Sequence, residues 1–215
     1  MNKPFVIAID GPAASGKGSL AKNLAKELGF DFLDTGALYR RVALFVLNAG
    51  INPDDTHSVI SHTERFKTQL NEPYDDNELR NDHVGDTASK VAQIPEIRAL
   101  LLDFQQNFAQ KAQKGAVLDG RDIATVICPN ADLKLFITAS SEKRAERRTK
   151  ELQLRGLEAR YEAVLAEMQE RDERDKPRLD EHLDPQINNH VIDTSDISPE
   201  DVLKQALDLY HSVTG

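Results

Sequence analysis

The sequence contains one cysteine, Cys128, among its 215 residues, so no internal disulfide can form. This cysteine usage is typical of a reducing compartment, and we expect a cytoplasmic protein. The six histidines lack the spacing of metal ligands, and no apolar run approaches the roughly 18 residues that a membrane span requires. Because Met1-Asn2-Lys3 leads directly into an apolar segment, we also expect no signal segment.

An excess of positive charge is also lacking, since the formal net charge is −9. Proteins that wrap nucleic acid usually carry an excess of lysine and arginine, so we expect no nucleic-acid partner. Within this acidic chain, however, arginines cluster at positions 40–41, 121, 144–148 and 171–178. Local arginine clusters on an acidic protein are typical of a cleft that binds a small polyanion. We therefore expect a protein that binds small anions. We also expect a monomer with no membrane partner.

A glycine-bounded segment near the N-terminus is the most informative motif. The apolar run Phe5–Asp10 is too short for a helix and predicts a buried strand, and the amphipathic pattern at 17–28 predicts a helix. Between them the spacing G-x-x-x-x-G-K predicts a loop whose backbone N–H groups bind phosphate at a helix N-terminus. A chance glycine turn with a surface lysine is the alternative. The candidate ATP-binding residues are Gly11, Pro12, Ala13, Ala14, Ser15, Gly16, Lys17, Gly18 and Ser19.

The residue after Lys17 departs from the common form of this loop. Most ATPases and GTPases with such a loop have a serine or threonine there that binds Mg²⁺, whereas this chain has Gly18 and a hydroxyl one place later at Ser19. We expect Mg²⁺ to be bound mainly by phosphates and water, near Ser19 and Asp119, with no residue assigned as a direct ligand. This form resembles nucleoside monophosphate kinases and favours a small-molecule phosphotransferase over a molecular switch.

Strand and helix patterns alternate along the chain and predict an α/β fold. We expect a five-stranded parallel sheet with helices on both faces, because parallel strands need helical crossovers. The further strands are predicted at residues 30–33, 116–119, 133–138 and 190–193. Helices are predicted from about residue 35 to 50 and at 84–92, 96–114, 141–155, 160–175 and 198–211.

Several local features of this fold can also be predicted. Thr35 is expected to be the N-cap of its helix, and Pro177 is expected to prevent the helix that begins at Arg160 from continuing. Residues 51–83 are interpreted as a small insertion, with weak strand-like alternation at 65–70 and an acidic, turn-rich stretch at 71–77.

Polar residues follow the predicted strands, where ligands of parallel sheets bind. Asp34, Thr35 and Arg40 follow the second strand. Asp119 ends the third strand, as a magnesium-associated carboxylate does in related folds, with a turn or capping role as the alternative. Arg121 and Asp122 come next, and for Arg121 an exposed ion pair is the alternative.

Two groups of arginines lie at helical spacing. Arg144, Arg147 and Arg148 share one face, where like charges repel unless an anion lies among them; pairing with neighbouring glutamates on a solvated face is the alternative. Arg171, Asp175 and Arg178 continue an apolar stripe, which indicates the wall of a cleft, with simple i,i+4 ion pairing as the alternative.

Five motifs of the sequence resemble those of bacterial cytidylate kinases. They occur in the same order as in that family and extend over almost the whole chain. They are G-P-x-x-S-G-K-G-S at 11–19, D-T-G-A-x-Y-R at 34–40, A-S-K-V-A at 88–92, D-G-R-D at 119–122 and R-D-x-x-D-x-x-R at 171–178.

The resemblance implies a P-loop kinase that transfers the γ-phosphate of ATP, with Mg²⁺, to CMP or dCMP. It implies one kinase unit over 1–215, an NMP-binding region at 37–112 that includes the insertion, and a lid with an adjoining acceptor-site helix at 141–178. A kinase for UMP or another nucleoside monophosphate, and a nucleotide-binding ATPase switch, stay open as alternatives.

The resemblance also assigns roles to individual residues. Residues matching Arg40, Arg121 and Arg178 bind the acceptor phosphate, and those matching Ser89, Arg98 and Asp122 read the cytosine edge. Those matching Arg171 and Asp175 contact the sugar hydroxyls, and Arg147 and Arg148 correspond to the lid arginines. The implied catalytic set is Lys17, Arg121, Arg147, Arg148 and Arg178, and the substrate-binding set also includes Asp34, Thr35 and Tyr39.

Overall fold

The structure, a computed structural model, describes residues 3–70, 72, 74–79 and 81–215. In this part of the chain five strands form one sheet in the order β2-β3-β1-β4-β5, and β1 pairs in parallel with both β3 and β4, as does β4 with β5. The predicted α/β fold with a five-stranded parallel sheet is therefore confirmed. The strands are Phe5–Asp10 (β1), Asp31–Asp34 (β2), Gly115–Gly120 (β3), Leu133–Thr138 (β4) and His190–Asp193 (β5).

Helices alternate with these strands along the chain. The α-helices are Lys17–Leu28 (α1), Thr35–Asn48 (α2), Thr56–Thr63 (α3), Asp76–Leu79 (α4), Asp82–Val91 (α5), Pro95–Lys111 (α6), Ser141–Leu154 (α7), Tyr161–Asp180 (α8) and Pro199–Thr214 (α9). Short 3₁₀ segments lie at Glu64–Gln69, Glu181–Leu183 and Pro185–Ile187, and a π-helical turn lies at Ile123–Ile127. Searched over the described ranges, the helices include none with the length and hydrophobicity of a bilayer span.

One face of the sheet packs against α1 and α9. Ile7 of β1 lies opposite Val117 of β3 and Leu133 of β4, and these side chains are buried on the same face because strand side chains alternate with period two. Leu24 of α1 and Val202 of α9 belong to the same core. The period-two alternation along each strand thus decides which of its apolar residues face α1 and α9.

The start of α2 differs by one residue from the prediction. Asp34, not Thr35, is the N-cap, and its Oδ1 accepts a hydrogen bond from the backbone N–H of Ala37 at 2.9 Å. The preceding strand, predicted at 30–33, also lies one residue later. A carboxylate and a hydroxyl are both good caps, so the pattern alone did not distinguish the two neighbours.

The prediction that Pro177 stops its helix is wrong, because α8 continues to Asp180. Proline lacks an N–H, so this turn loses one backbone hydrogen bond. The added turn carries Arg178 to within ion-pairing distance of Asp175, whose carboxylate also accepts a hydrogen bond from Arg121. We attribute the continuation of the helix to these charged contacts, which local propensity does not include.

The strand suggested at 65–70 is also wrong, since Glu64–Gln69 forms a 3₁₀ helix and residues 51–83 contain no strand in their described part. The buried guanidinium of Arg41 donates to the carbonyls of Gln69, Leu70 (2.8 Å) and Glu72 (3.0 Å). Carbonyls so near in sequence can point at one cation only where the backbone turns, which an extended strand does not do. Asn71 and Pro73, part of the stretch predicted to be turn-rich, lie outside the described residues.

The chain divides into two compact units. The first unit comprises Met1–Leu33 and Ala109–Gly215, and the second comprises Asp34–Phe108. The first unit therefore contains the glycine-bounded loop, the 119–122 segment and α8, whereas the second contains the remaining predicted acceptor residues.

Candidate active site

The glycine-bounded loop follows β1 and leads into α1. Gly11 has φ 148°, and a Cβ there would lie 2.0 Å from the carbonyl oxygen of Ile137, so this position requires glycine. Gly16, with φ 92°, is the N-cap of α1 and supplies no side-chain hydrogen bond to the helix. The first N–H groups of α1 therefore keep a donor geometry that suits an anion.

Lys17 lies over this loop. Its side chain is only 8% exposed, and its Nζ donates a hydrogen bond to the carbonyl oxygen of Pro12 at 3.2 Å. Ser15 is buried in the same loop, and its Oγ has no hydrogen-bond partner among the described residues. The loop thus presents an ammonium group and a buried hydroxyl beside the helix N-terminus, as a polyphosphate site needs.

Asp119 of β3 lies beside the beginning of α1. An added Cβ at Gly18 would come within 3.3 Å of Asp119 Oδ2, so the glycine leaves the space next to this buried carboxylate open. Oxygen ligands suit Mg²⁺, which usually retains several waters and binds few protein groups. Searched over the described residues, the chain shows no cluster of three or more His, Cys, Asp or Glu side chains that could hold a metal. Asp119 and the open space beside it fit a hydrated ion of this kind.

A second charged region surrounds Asp175 of α8, which is 3% exposed. Its carboxylate accepts hydrogen bonds from Arg121 Nε at 2.9 Å and from Arg178 Nη2, and Arg171 Nε lies 3.9 Å from the same carboxylate. Burial alone would raise the pKa of Asp175, but Arg121, Arg171 and Arg178 outweigh burial and hold that pKa below its ordinary value. One ionised carboxylate thus holds together three guanidinium groups, a set with positive charge in excess.

This arrangement differs from simple i,i+4 pairing along a helix. The i,i+4 contact between Arg171 and Asp175 is long at 3.9 Å, whereas Arg121, 54 positions away in sequence, bonds to Asp175 at 2.9 Å. The cluster therefore joins α8 to the segment after β3. Asp122, in that segment, is also buried.

The three arginines of α7 have different surroundings. Arg144 is buried and donates to both carboxylate oxygens of Asp172, at 3.1 and 2.6 Å, and to the Ala13 carbonyl at 3.2 Å. Arg147 donates to Oγ1 of Thr194 at 3.0 Å and to its carbonyl, and Arg148 pairs with Glu151 at 2.9 Å. Protein groups thus neutralise much of this charge.

The second unit contains the other predicted acceptor residues. Asp34 caps α2 and lies 3.8 Å from Arg40 Nη1, and Thr35 is buried at the first turn. Tyr39 packs with Ala43, Val84 and Ala88, which links α2 to α5. Ser89 is buried on α5, next to this contact, and Arg98 lies on α6.

The sequence interpretation did not single out Asp10, His182 or Thr194. The sequence does contain a signal for Asp10, because a carboxylate at the end of a buried apolar strand needs hydrogen-bond partners. Thr194 has none: its Oγ1 donates to the carbonyl of Ser15 at 2.8 Å, a contact between residues 179 positions apart. Cys128 is half-buried, and burial raises the pKa of its thiol to about 11, which does not favour a nucleophile.

Solved structures share this fold. A shikimate kinase from Bacteroides thetaiotaomicron superposes with a TM-score of 0.52 at 12% identity, covering 96% of this chain and 98% of that one. A gluconokinase from Sinorhizobium meliloti gives a TM-score of 0.51 at 14% identity, covering 99% of this chain and 95% of that one. At such identities the likeness shows the fold alone.

Sequence comparisons are far more specific. A cytidylate kinase from Paramagnetospirillum magneticum is 53% identical over 212 residues, covering 96% of this chain and 98% of that protein. A cytidylate kinase from Azorhizobium caulinodans is 48% identical over 211 residues, covering 98% of this chain and all of that protein (100%). The family model described as Cytidylate kinase matches residues 7–212. Because relatives and model both match nearly the whole chain, the resemblance of its motifs is confirmed, and the chain belongs to the cytidylate kinase family.

Proposed function

We propose that this chain transfers the γ-phosphate of ATP to CMP or dCMP, giving ADP and CDP or dCDP. The observation that carries the proposal is the pairing of a phosphate-binding loop with the guanidinium cluster around Asp175, in a chain of the cytidylate kinase family. Phosphoryl transfer depends on positioning and on neutralising charge. The two regions supply cations for two phosphate-bearing substrates.

On the donor side, the loop at residues 11–19 binds the ATP phosphates through backbone N–H groups, and Lys17 neutralises the β- and γ-phosphates. Mg²⁺ supplies further charge neutralisation when it is bound with ATP. Asp119 and Ser19 are the side chains of this region that would hold its water ligands. The open space beside Asp119 at Gly18 supports this assignment.

On the acceptor side, Arg40, Arg121 and Arg178 bind the phosphate of CMP. Each charge-assisted hydrogen bond of this kind contributes about 1.5–3 kcal/mol. Asp34, Thr35 and Tyr39 complete the acceptor region with Arg40, and Arg171 and Asp175 bind the sugar hydroxyls.

Base recognition is assigned to Ser89, Arg98 and Asp122. Cytosine presents an exocyclic amine as a donor beside ring acceptors, so a carboxylate can accept from the amine while arginine and serine donate to the ring. Uracil has an acceptor at position 4 and would leave such a carboxylate unpaired, which a buried site disfavours strongly. The burial of Asp122 and Ser89 supports this assignment.

The regional assignments follow the same proposal. Residues 37–112 bind the nucleoside monophosphate. Residues 141–178 form a lid and the adjoining acceptor-site helix, and Arg147 and Arg148 of the lid contact the phosphates. Closure of such a lid would exclude water and limit hydrolysis of ATP. We further propose a monomeric, cytoplasmic enzyme without a nucleic-acid partner, in line with the single cysteine and the net charge of −9.

A coupled assay of ADP release tests the proposal. Purified protein is supplied with ATP, Mg²⁺ and, in turn, CMP, dCMP, UMP, AMP, GMP or shikimate. We expect CMP and dCMP to give the highest kcat/KM. If ADP release with CMP does not exceed the rate without acceptor, the kinase assignment is lost. If kcat/KM for UMP exceeds that for CMP, the assignment of the base is lost.

The substitution Asp122→Asn tests base recognition in the same assay. The amide replaces an acceptor oxygen by a donor, so we expect the ratio of kcat/KM for CMP to that for UMP to fall by about tenfold or more. The KM for ATP, measured alongside, should change less than twofold. An unchanged CMP/UMP ratio would remove Asp122 from base recognition.

A further inference from the structure

Asp10 fixes the segment that carries two of the proposed acceptor residues. Its side chain is completely buried at the end of β1, and its two oxygens accept hydrogen bonds from the backbone N–H groups of Ile123 and Ala124, each at 2.8 Å. These N–H groups follow Arg121 and Asp122 directly. The main chain on the C-terminal side of both residues is therefore anchored to the central strand of the sheet.

His182 holds the same segment from another direction. It lies just beyond α8, and its buried ring places Nε2 2.9 Å from the carbonyl oxygen of Arg121. Because a carbonyl can only accept, Nε2 must carry the hydrogen. Nδ1 lies 3.1 Å from Nδ2 of Asn189, whose amide also donates to the His182 carbonyl at 3.2 Å.

The surroundings of the ring leave it little freedom. The Phe136 ring lies 5.0 Å from it, centroid to centroid, and Asp10 Oδ2 lies 3.6 Å from Nε2. A negative carboxylate at this distance favours an N–H that points in its direction. The imidazole is thus oriented by contacts at both nitrogens and on its face.

Arg121 is consequently held twice by one continuous stretch of chain. Its side chain donates to Asp175 of α8, and its carbonyl accepts from His182, seven positions further along. The first contact sets where the guanidinium lies, and the second sets the peptide plane from which the side chain extends. Neither the glycine-bounded loop nor Lys17 takes part in these two contacts.

We propose that His182 is a positioning residue for phosphoryl transfer, acting through its Nε2–H on the Arg121 carbonyl to align the Arg121 guanidinium with the acceptor phosphate. The inference rests on the proposed function, because it assigns Arg121 to the acceptor. A guanidinium binds phosphate through a planar fork, so a small rotation of its peptide weakens both bonds. Misplacement by about 1 Å can lower a rate by up to about 10²-fold.

Two substitutions separate this role from simple packing. His182→Leu replaces the imidazole by an apolar side chain of similar size that has no hydrogen-bond donor. His182→Gln offers an amide N–H that can reach the Arg121 carbonyl. We expect His182→Leu to lower kcat/KM for CMP by about 10- to 30-fold while the KM for ATP stays within twofold. His182→Gln should restore kcat/KM for CMP to within about threefold of the wild type. His211→Leu, at an exposed position of α9, is the matched control and should change neither value.

The outcomes separate the inference from the proposed function. If the wild type phosphorylates CMP and His182→Leu keeps its kcat/KM, or His182→Gln is as impaired as His182→Leu, the inference is overturned while the function stands. If His182→Leu impairs the kinetics for ATP as much as those for CMP, the inference is likewise overturned. If His182→Leu does not fold, Asn189→Ala decides, since it leaves the imidazole but removes the contact at Nδ1. A selective fall in kcat/KM for CMP then supports the inference, and wild-type kinetics reject it.

Discussion

The phosphate-binding loop and the guanidinium cluster both present positive charge, but they are built differently. The loop consists of consecutive residues, and its donors are mainly backbone N–H groups at the beginning of α1, with Lys17 added. The cluster consists of side chains from two parts of the chain, Arg121 and α8, gathered around Asp175. The loop depends on backbone geometry, which at position 11 requires glycine. The side-chain cluster depends on the Asp175 carboxylate that its three arginines share.

The largest expected effect comes from Lys17→Ala, which removes the one side-chain cation assigned to the loop. We expect kcat to fall by about 10³-fold or more, because charge developing on the transferred phosphoryl group loses its ammonium partner. Binding of CMP, measured by calorimetry without ATP, should change less than threefold because the guanidinium cluster is intact. Loss of CMP binding would mean that the loop and the cluster do not serve different substrates.

The second largest effect is expected from Asp175→Asn, which removes the central charge of the cluster but keeps its shape. The three guanidinium groups then lose the ionised carboxylate that they share, and breaking a buried ion pair on one side typically costs about 3–5 kcal/mol. We expect a fall of this order in the free energy of unfolding, measured by urea titration. We also expect kcat/KM for CMP to fall by about 10²-fold with little change in the KM for ATP.

Asp172→Asn is the matched control, because Asp172 lies on the same helix but pairs with Arg144, which is outside the cluster around Asp175. It should destabilise the fold without a selective loss of CMP turnover. If Asp175→Asn and Asp172→Asn affect CMP and ATP kinetics alike, the cluster has no special relation to the acceptor.

The same difference explains what could be predicted from the sequence. The glycine-bounded loop and the alternation of strands and helices depend on neighbouring residues, and the structure has them where the patterns indicated. Contacts between distant residues left no local signal. The pairing of Arg144 with Asp172 and the bond from Thr194 to Ser15 required the fold itself.

The incorrect predictions have a similar origin. Helix propensity alone would end α8 at Pro177, but the contacts of Asp175 with Arg178 and with Arg121 favour one more turn. The alternation at 65–70 suggested a strand, but carbonyls that bind Arg41 favour a 3₁₀ turn. In both cases contacts of a buried charged group overrode a local preference, and composition and periodicity do not report such contacts.

Asp10 lies between the two regions, since Gly11 of the loop follows it and its carboxylate binds the segment after Arg121 and Asp122. Burial raises the pKa of Asp10 from 3.8 to about 6, a rise that Asp122 reinforces and that His182 and the two backbone N–H groups partly offset. A raised pKa means that the folded state retains a proton that the unfolded chain has already released. The contribution of Asp10 to stability is therefore fully present below about pH 4 and is lost as the pH rises through about 6.

This pH dependence gives the smallest of the expected effects and probes the junction of the two regions. The amide introduced by Asp10→Asn does not titrate, so we compare the free energy of unfolding of the wild type with that of this variant at intervals from pH 4 to pH 7. We expect the difference, wild type minus variant, to fall with rising pH by at most about 3 kcal/mol. The same series in a His182→Gln background removes the histidine that contacts Asp10, and the fall should become larger because no imidazole then offsets burial. A difference independent of pH would show that Asp10 is ionised throughout, and its bonds to Ile123 and Ala124 would then stabilise the junction at every pH in this range.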